Sequence, residues 1–549
     1  MCQKKNGQIL CAVILIVVLA LFLSSFAIIN FIGFPKFCTF DMYEDTAYSM
    51  LAWEAKSIFP KDWVFGNQYY VVATPVLCAL FYGLTGNINF AMALATMAMT
   101  LLVMLSMLFL IHPFTDKLGR LTGMAAMIGC MITANAVASL EGQLFYILAS
   151  YYSCYLITVL IVMGDYLHAL CFKNKRGFSA ALILSMALCF TTGMQSLRIT
   201  AVLILPVLAT EILRILILLI RKEKNKIKRT WAVTLRALLY TFSNFLGAIF
   251  IKVLNVPNVT IYGSLSQRNL SSLKDAHEVN MRILKKITGF YYACTEENGW
   301  IYFILASFFT AIVILAAFLS LYRYIAERKK GKSGKKYLFG AINFSVFAIS
   351  IAGLFAMNLV FDMNFRTPYL FIWYPFTAIS CVVLLQYLKP GCWKIVGILL
   401  LCIGCIGNWY VGYAPAVQKT LEPYDANIYR KMSDYIVESG FSYVYGDICV
   451  TSPIAAYSNG QVLAASSFEK PLEILTYINP QGVYGEDENS KAVYIFYCGQ
   501  NIDAEKYAEK IGASMTLIAE FEGGYYTLYT SDKQLMHYGE QPSESFLKS

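Results

Sequence analysis

Apolar residues dominate eleven stretches of this 549-residue chain, near 9–34, 88–111, 121–139, 143–166, 179–196, 199–220, 233–254, 300–322, 338–361, 369–388 and 395–413. Most run about 18–24 residues, enough to cross about 30 Å of hydrocarbon as helix. The polar positions between them alternate in kind. Basic clusters stand at Lys4–Lys5, Lys117–Arg120, Lys173–Arg176, Arg221–Arg229, Arg323–Lys336 and Lys389–Lys394, and the intervening loops hold most of the acids. Basic residues in short loops resist translocation, so this alternation predicts a cytoplasmic N-terminus. An odd number of spans then places everything after about residue 414 outside. The tightest junction is Gly193-Met-Gln-Ser-Leu-Arg198, which must be a short external turn if the downstream basic loops are to stay inside. The first apolar run is too long for a signal-peptide core and lacks a small-x-small cleavage site, so it reads as a retained anchor.

Three predicted external segments exceed a turn: 35–87, 255–299 and the tail. In the first, Ala47, Met50, Leu51, Ala55 and Ile58 recur at helical spacing and Pro60 stops the pattern. This predicts a short helix lying in the outer interface. Tyr70–Leu84 is apolar but short and contains Pro75, so it reads as interfacial or re-entrant. In the tail, strands are predicted at Ser442–Gly446, Val462–Ala465 and Ala492–Cys498, and a helix at Asp503–Ile511 ended by Gly512. A hairpin with a two-residue turn, Gly523-Gly524, is predicted from Met515–Glu522 and Tyr525–Thr530. The fold class is a polytopic α-helical membrane protein of about eleven spans with a C-terminal external α/β domain. Residues 1–414 form the membrane domain and 415–549 the external domain.

Composition agrees: 58% of residues are hydrophobic and 14% charged, against about a quarter charged in soluble proteins. Of the net +10, residues 415–549 hold 9 Lys/Arg against 18 Asp/Glu, a net −9, which leaves +19 for residues 1–414. The basic excess is topological and does not point to nucleic acid. Most of the 15 Cys lie inside apolar runs, where they act as small hydrophobes. Cys449 and Cys498 both read as strand residues of the tail, and their pairing is open.

The chemistry gathers at Asp41-Met-Tyr-Glu44-Asp45, at the start of the first long loop. On a helix beginning there, the three carboxylates share a face. A second reading is local: Asp41 as N-cap with Glu44 three residues on is a capping box. Two arginines sit at external span ends outside any basic cluster. For Arg198 the alternatives are phosphate binding and snorkelling to the interface; for Arg366 they are phosphate binding and a pair with Asp362. Glu141 stands alone in a short external turn, Ser139-Leu-Glu-Gly142. Glu211 and Arg214, three apart, read as a local ion pair. The mid-span regions read as nearly free of charge.

This layout resembles the GT-C superfamily of membrane glycosyltransferases, which includes protein O-mannosyltransferases and aminoarabinose transferases. The resemblance is carried by the long first loop with Glu44-Asp45-Thr-Ala-Tyr soon after the first span, Trp53-Glu-Ala, and Tyr69-Tyr-Val-Val-Ala-Thr-Pro75 before the second. It is specific over about 36–112, and the acid pair stands in reverse order. It implies inverting transfer of a sugar from a polyprenyl-phosphate donor to a cell-envelope glycan, lipid or protein acceptor at the outer face of the cell membrane. Asp45 is then the first choice for the base and Glu44 the second, with Asp41, Arg198, Arg366 and Glu141 binding substrate. In metal-using members the second external loop supplies an acid to a divalent cation, so Glu141 leaves a cation open as cofactor. Two other classes remain: a transporter or flippase of a lipid-linked glycan, and a non-enzymatic scaffold with an external binding domain.

Overall fold

A computed structural model describes the chain except residues 1, 67, 132–151, 173–176, 259–268, 270–271, 296–298, 330–334, 362–364, 389–390, 424–426, 468–471 and 538–549. Among the described residues, nine helices are long and apolar enough to cross a membrane: Gly7–Phe31, Ile88–Ile111, Ser153–Cys171, Thr200–Ile220, Thr230–Leu254, Gly299–Glu327, Tyr337–Val360, Thr367–Tyr387 and Cys392–Leu421. The other two expected spans correspond to the helices Lys117–Met131 and Ala180–Gln195. The first of these abuts residues outside the described set. Of the span expected at 143–166, residues 143–151 lie outside the described residues; a helix runs over Ser153–Cys171. The protein is a polytopic α-helical membrane protein with a small C-terminal sheet domain.

Contacts divide the chain into two units. The first comprises Met1–Phe26, Met97–Asn255 and Tyr262–Ala416; the second comprises Ala27–Thr96, Val256–Ile261 and Val417–Ser549.

The first unit is a helix bundle whose closest approach joins Ala180–Gln195 to Lys224–Leu254. A Cβ on Gly193 would strike the Asn244 carbonyl, and one on Gly247 the Phe190 carbonyl. Small residues permit such approach between apolar helices. The tight turn forms as expected. The helix stops at Gln195, Ser196 is extended, and Arg198 already begins the next helix through a π turn at Thr200–Ile204.

The expectation of nearly charge-free spans is corrected here. Asp165 and Arg236 form a pair at 3.1 Å with side chains only 4% and 3% exposed. Tyr240 donates to the same carboxylate at 2.5 Å, and Arg236 also donates to the Gly177 carbonyl at 2.7 Å. Glu211 and Arg214 pair at 2.5 Å as read from their spacing, and Tyr166 and Thr234 donate to Glu211 at 2.7 and 2.6 Å. Burying charge is costly unless it is paired and bonded, and both pairs are.

The second unit joins the first long loop to the tail. Its loop helices are α1 (Phe40–Glu54) and α2 (Thr74–Thr85). Glycine at 86, with φ 66°, ends α2, and Pro75 opens that helix where the sequence reading had Pro75 as an interruption. The tail contributes α3 (Ile428–Glu438), β1 (Tyr443–Asp447), α4 (Ile448–Tyr457), β2 (Leu463–Ser467), β3 (Ala492–Tyr497), α5 (Gln500–Ile511), β4 (Met515–Phe521) and β5 (Tyr526–Ser531). The sheet order is β2-β1-β3-β5-β4. The first three strands are parallel; β5 runs antiparallel to β3 and pairs β4 in a hairpin whose last pair is Phe521–Tyr526, so the loop is the four residues Glu522–Tyr525 and not the expected two-residue turn. Tyr445, Tyr494, Phe496 and Tyr529 pack on Ala504, Tyr507 and Ala508 of α5.

Helix α4, absent from the sequence reading, carries Cys449. That residue is therefore helical, and Cys449 and Cys498 are both free and exposed.

Candidate active site

Helix α1 begins at Phe40 with Thr39 as N-cap, and no side chain caps it. The capping-box reading of Asp41 and Glu44 therefore does not describe this turn. Asp41 is exposed, whereas Glu44 is 7% and Asp45 0% exposed. The expected convergence of three carboxylates thus reduces to a buried pair with a third acid outside.

Glu44 accepts a 2.6 Å hydrogen bond from the Tyr70 hydroxyl. Both carboxylate oxygens of Asp45 are enclosed without a hydrogen-bond partner among the described residues. Burial first, then Asp45 and Asp41 beside it, hold the Glu44 carboxyl well above the usual range, opposed by the Tyr70 hydrogen bond. Burial likewise raises Asp45 well above its usual range; nearby Tyr70 opposes this and Asp41 adds to it. Buried carboxyls behave this way because low dielectric disfavours the charged form.

The surroundings explain the burial. One turn on, Tyr48 packs edge-on against Tyr70 at 4.7 Å and Trp63 at 5.6 Å, and its hydroxyl donates to the Ile58 carbonyl at 2.8 Å. Ser49 donates to the carbonyls of Asp45 at 2.6 Å and Pro75 at 2.9 Å, which ties α1 to the start of α2. From the other side, the Ala464 amide of edge strand β2 donates to the Tyr43 hydroxyl at 2.7 Å. Lys36 donates to the carbonyls of Lys419, Thr420 and Glu422, at 3.2 and 2.7 Å for the first two. Carbonyls at a helix C-terminus attract such cations. The acidic helix is thereby braced by the tail.

The first unit holds the two arginines. Arg198 lies over the rings of Tyr152 at 5.7 Å and Tyr369 at 5.8 Å. Tyr155 bonds the Ser196 hydroxyl at 2.9 Å in the same turn. Arg366 is exposed and precedes the short helix Thr367–Leu370, its carbonyl accepting from the Tyr369 amide at 3.1 Å. The structure thus brings the Arg366 segment to Arg198. Asp362 and Glu141 lie outside the described residues, and so does the Asp362–Arg366 pairing.

Sequence reasoning missed Tyr43, Ser49 and Tyr70 as parts of the site. Tyr43 sits inside the acidic motif and Tyr70 inside the aromatic segment, but nothing in their spacing shows which partner each meets. As for a metal, no group of three or more His, Cys, Asp or Glu is disposed to hold one among the described residues.

No family model and no curated protein matches the chain. Solved structures do. ArnT from Cupriavidus metallidurans bound to undecaprenyl phosphate matches at 12% identity and a TM-score of 0.49, over 96% of this chain and 99% of that one. The apo form of the same protein matches at 11% identity and 0.47, over 90% and 94%. An Archaeoglobus fulgidus oligosaccharyltransferase tethered to an acceptor peptide matches at 10% and 0.45, over 93% and 70%.

Proposed function

We propose that the protein is a membrane glycosyltransferase that moves a sugar from a polyprenyl-phosphate donor to a cell-envelope acceptor at the outer face. The observation that carries this reading is the Glu44–Asp45 pair. Asp45 is a wholly enclosed carboxylate with neither oxygen satisfied. An unsatisfied buried carboxylate costs stability, and such strain persists where function requires it. Once ionised, a carboxylate with a raised pKa is a stronger base than a surface aspartate, suited to taking the acceptor hydroxyl proton as the sugar carbon is attacked. Glu44 accepts from the Tyr70 hydroxyl, and Asp45 is the first choice for the base. In an inverting displacement the acceptor oxygen bonds the anomeric carbon while the donor phosphate leaves with its electron pair. Arg198, over the rings of Tyr152 and Tyr369, offers the planar fork that suits phosphate, and Arg366 assists.

The orientation belongs to the same proposal. The N-terminus is cytoplasmic and the sheet domain external, which sets the carboxylates among outward-facing loops.

The buried pairs Asp165–Arg236 and Glu211–Arg214 favour a second reading, transport, since intramembrane charge often marks a pathway. Both are fully bonded and act as static braces between helices, so transfer is the better account. The experiment is reconstitution of the purified protein with a panel of short-chain polyprenyl-phosphate sugars and an extract of cell-envelope lipids and glycans as acceptor. Transfer yields the free polyprenyl phosphate by mass spectrometry. Movement of intact donor between leaflets, with no phosphate released, would establish transport instead.

A further inference from the structure

In the sheet order β2-β1-β3, the chain leaves β1 toward one side and returns as β3 on the other. Helix α4 covers the face of Gly446 and Ser466, whose hydroxyl lies 3.0 Å from that of Thr451. Helix α5 covers the opposite face, with Tyr445 and Tyr494. The carboxyl ends of β1 and β3 therefore form a topological switch point, the place where open α/β sheets hold ligands.

Four tyrosines gather there with one acid. The ring of Tyr497, at the end of β3, lies 6.4 Å from both Tyr525 and Tyr526; those two are 4.8 Å apart, and Tyr429 of α3 is 6.2 Å from Tyr526. The Tyr497 hydroxyl donates to Asp447 Oδ2 at 3.3 Å, while Asp447 Oδ1 caps α4 by accepting from the Cys449 amide at 2.7 Å. Tyr525 is 45% exposed. Scattered surface tyrosines in strands need no explanation. A contiguous set at a switch point, with a carboxylate beside it, does.

We propose that this cluster is a saccharide-binding subsite. Tyrosine rings give flat apolar faces for the C–H side of a pyranose and keep a polar edge for its hydroxyls, and Asp447 accepts from those hydroxyls. A protein partner would need about 800 Å² from this surface, more than one exposed ring and its neighbours supply. An acidic ligand is disfavoured by 18 Asp/Glu against 9 Lys/Arg in residues 415–549. The occupant is therefore a neutral or amino sugar. The subsite stands apart from the transfer reading and survives its failure.

The test is calorimetric titration of the full chain in detergent with cellotriose, chitosan trimer and trigalacturonate. One of the first two binds and trigalacturonate does not. Tyr525→Ala weakens binding by roughly tenfold or more, Tyr525→Trp retains it, and Asp447→Asn, which keeps the cap, weakens it with an unchanged melting temperature. Absence of binding by both trimers up to about 10 mM overturns the proposal. So does binding that Tyr525→Ala and Asp447→Asn leave intact, or trigalacturonate binding as tightly as the others.

Discussion

The hydroxyl of Tyr43 holds both backbone groups of Ala464, accepting from its amide at 2.7 Å and facing its carbonyl at 3.4 Å. One residue from the buried carboxylates, a side chain thus stands in for a missing strand at the edge of β2. Exposed edges invite unwanted pairing, and this edge is covered. Tyr43→Phe keeps the ring and strands the Ala464 groups, so it should destabilise the second unit by about 1–3 kcal/mol. Thermal unfolding followed by cleavage within residues 415–549 checks this; an unchanged melting point would remove the brace from the account.

Carboxylates whose pKa is raised by burial make stability depend on pH in a fixed direction. The folded protein holds protons on Glu44 and Asp45 above the pH at which the unfolded chain releases them. Their stabilising contribution is full below the usual carboxylate range and falls as pH rises toward the folded values. Asp45→Asn should therefore raise the melting temperature at neutral pH and flatten its decline with pH while slowing transfer. Loss of stability in that variant at neutral pH would show that Asp45 is a structural group.

The buried ion pair gives a contrasting case. Arg236→Ala leaves Asp165 with Tyr240 alone in an apolar bundle, and breaking such pairs costs about 3–5 kcal/mol. Asp165→Asn with Arg236→Met should recover most of it. Detergent unfolding curves decide; a tolerated Arg236→Ala would mean that the Asp165 site is hydrated and reopen the transport reading.

Orientation has its own check. In a chain whose native cysteines are replaced, a thiol at Ser531 should react with an impermeant reagent in intact cells and one at Ser333 should not. The opposite pattern would invert the topology.

Much of this fold was legible because apolar run length and turn chemistry are local. The strand at Ala492–Tyr497, the helix ended by Gly512 and the Gly523-Gly524 hairpin all appear where periodicity placed them. Helix α4 was not legible, since a ten-residue apolar segment with Pro453 inside it gives no helical stripe. The short helix Thr74–Thr85 was read only as an interfacial segment because Pro75 resembles a break, although proline is well suited to a first helical turn. At the site, sequence supplied the acids but not their states. Burial of Glu44 and Asp45, exposure of Asp41, and the hydrogen bond from Tyr70 arise from residues 26 positions apart and more, which spacing does not encode. Asp165 went unweighed because its partner lies 71 residues on.

The most direct measurement compares donor binding and transfer in four proteins: wild type, Glu44→Gln, Asp45→Asn and Arg198→Ala. The account predicts that Asp45→Asn binds a polyprenyl-phosphate sugar as wild type does but transfers it roughly 10²–10⁴-fold more slowly. Glu44→Gln should fall less, and Arg198→Ala should lose donor affinity. Transfer by Asp45→Asn at the wild-type rate would contradict the assignment of Asp45 as the base.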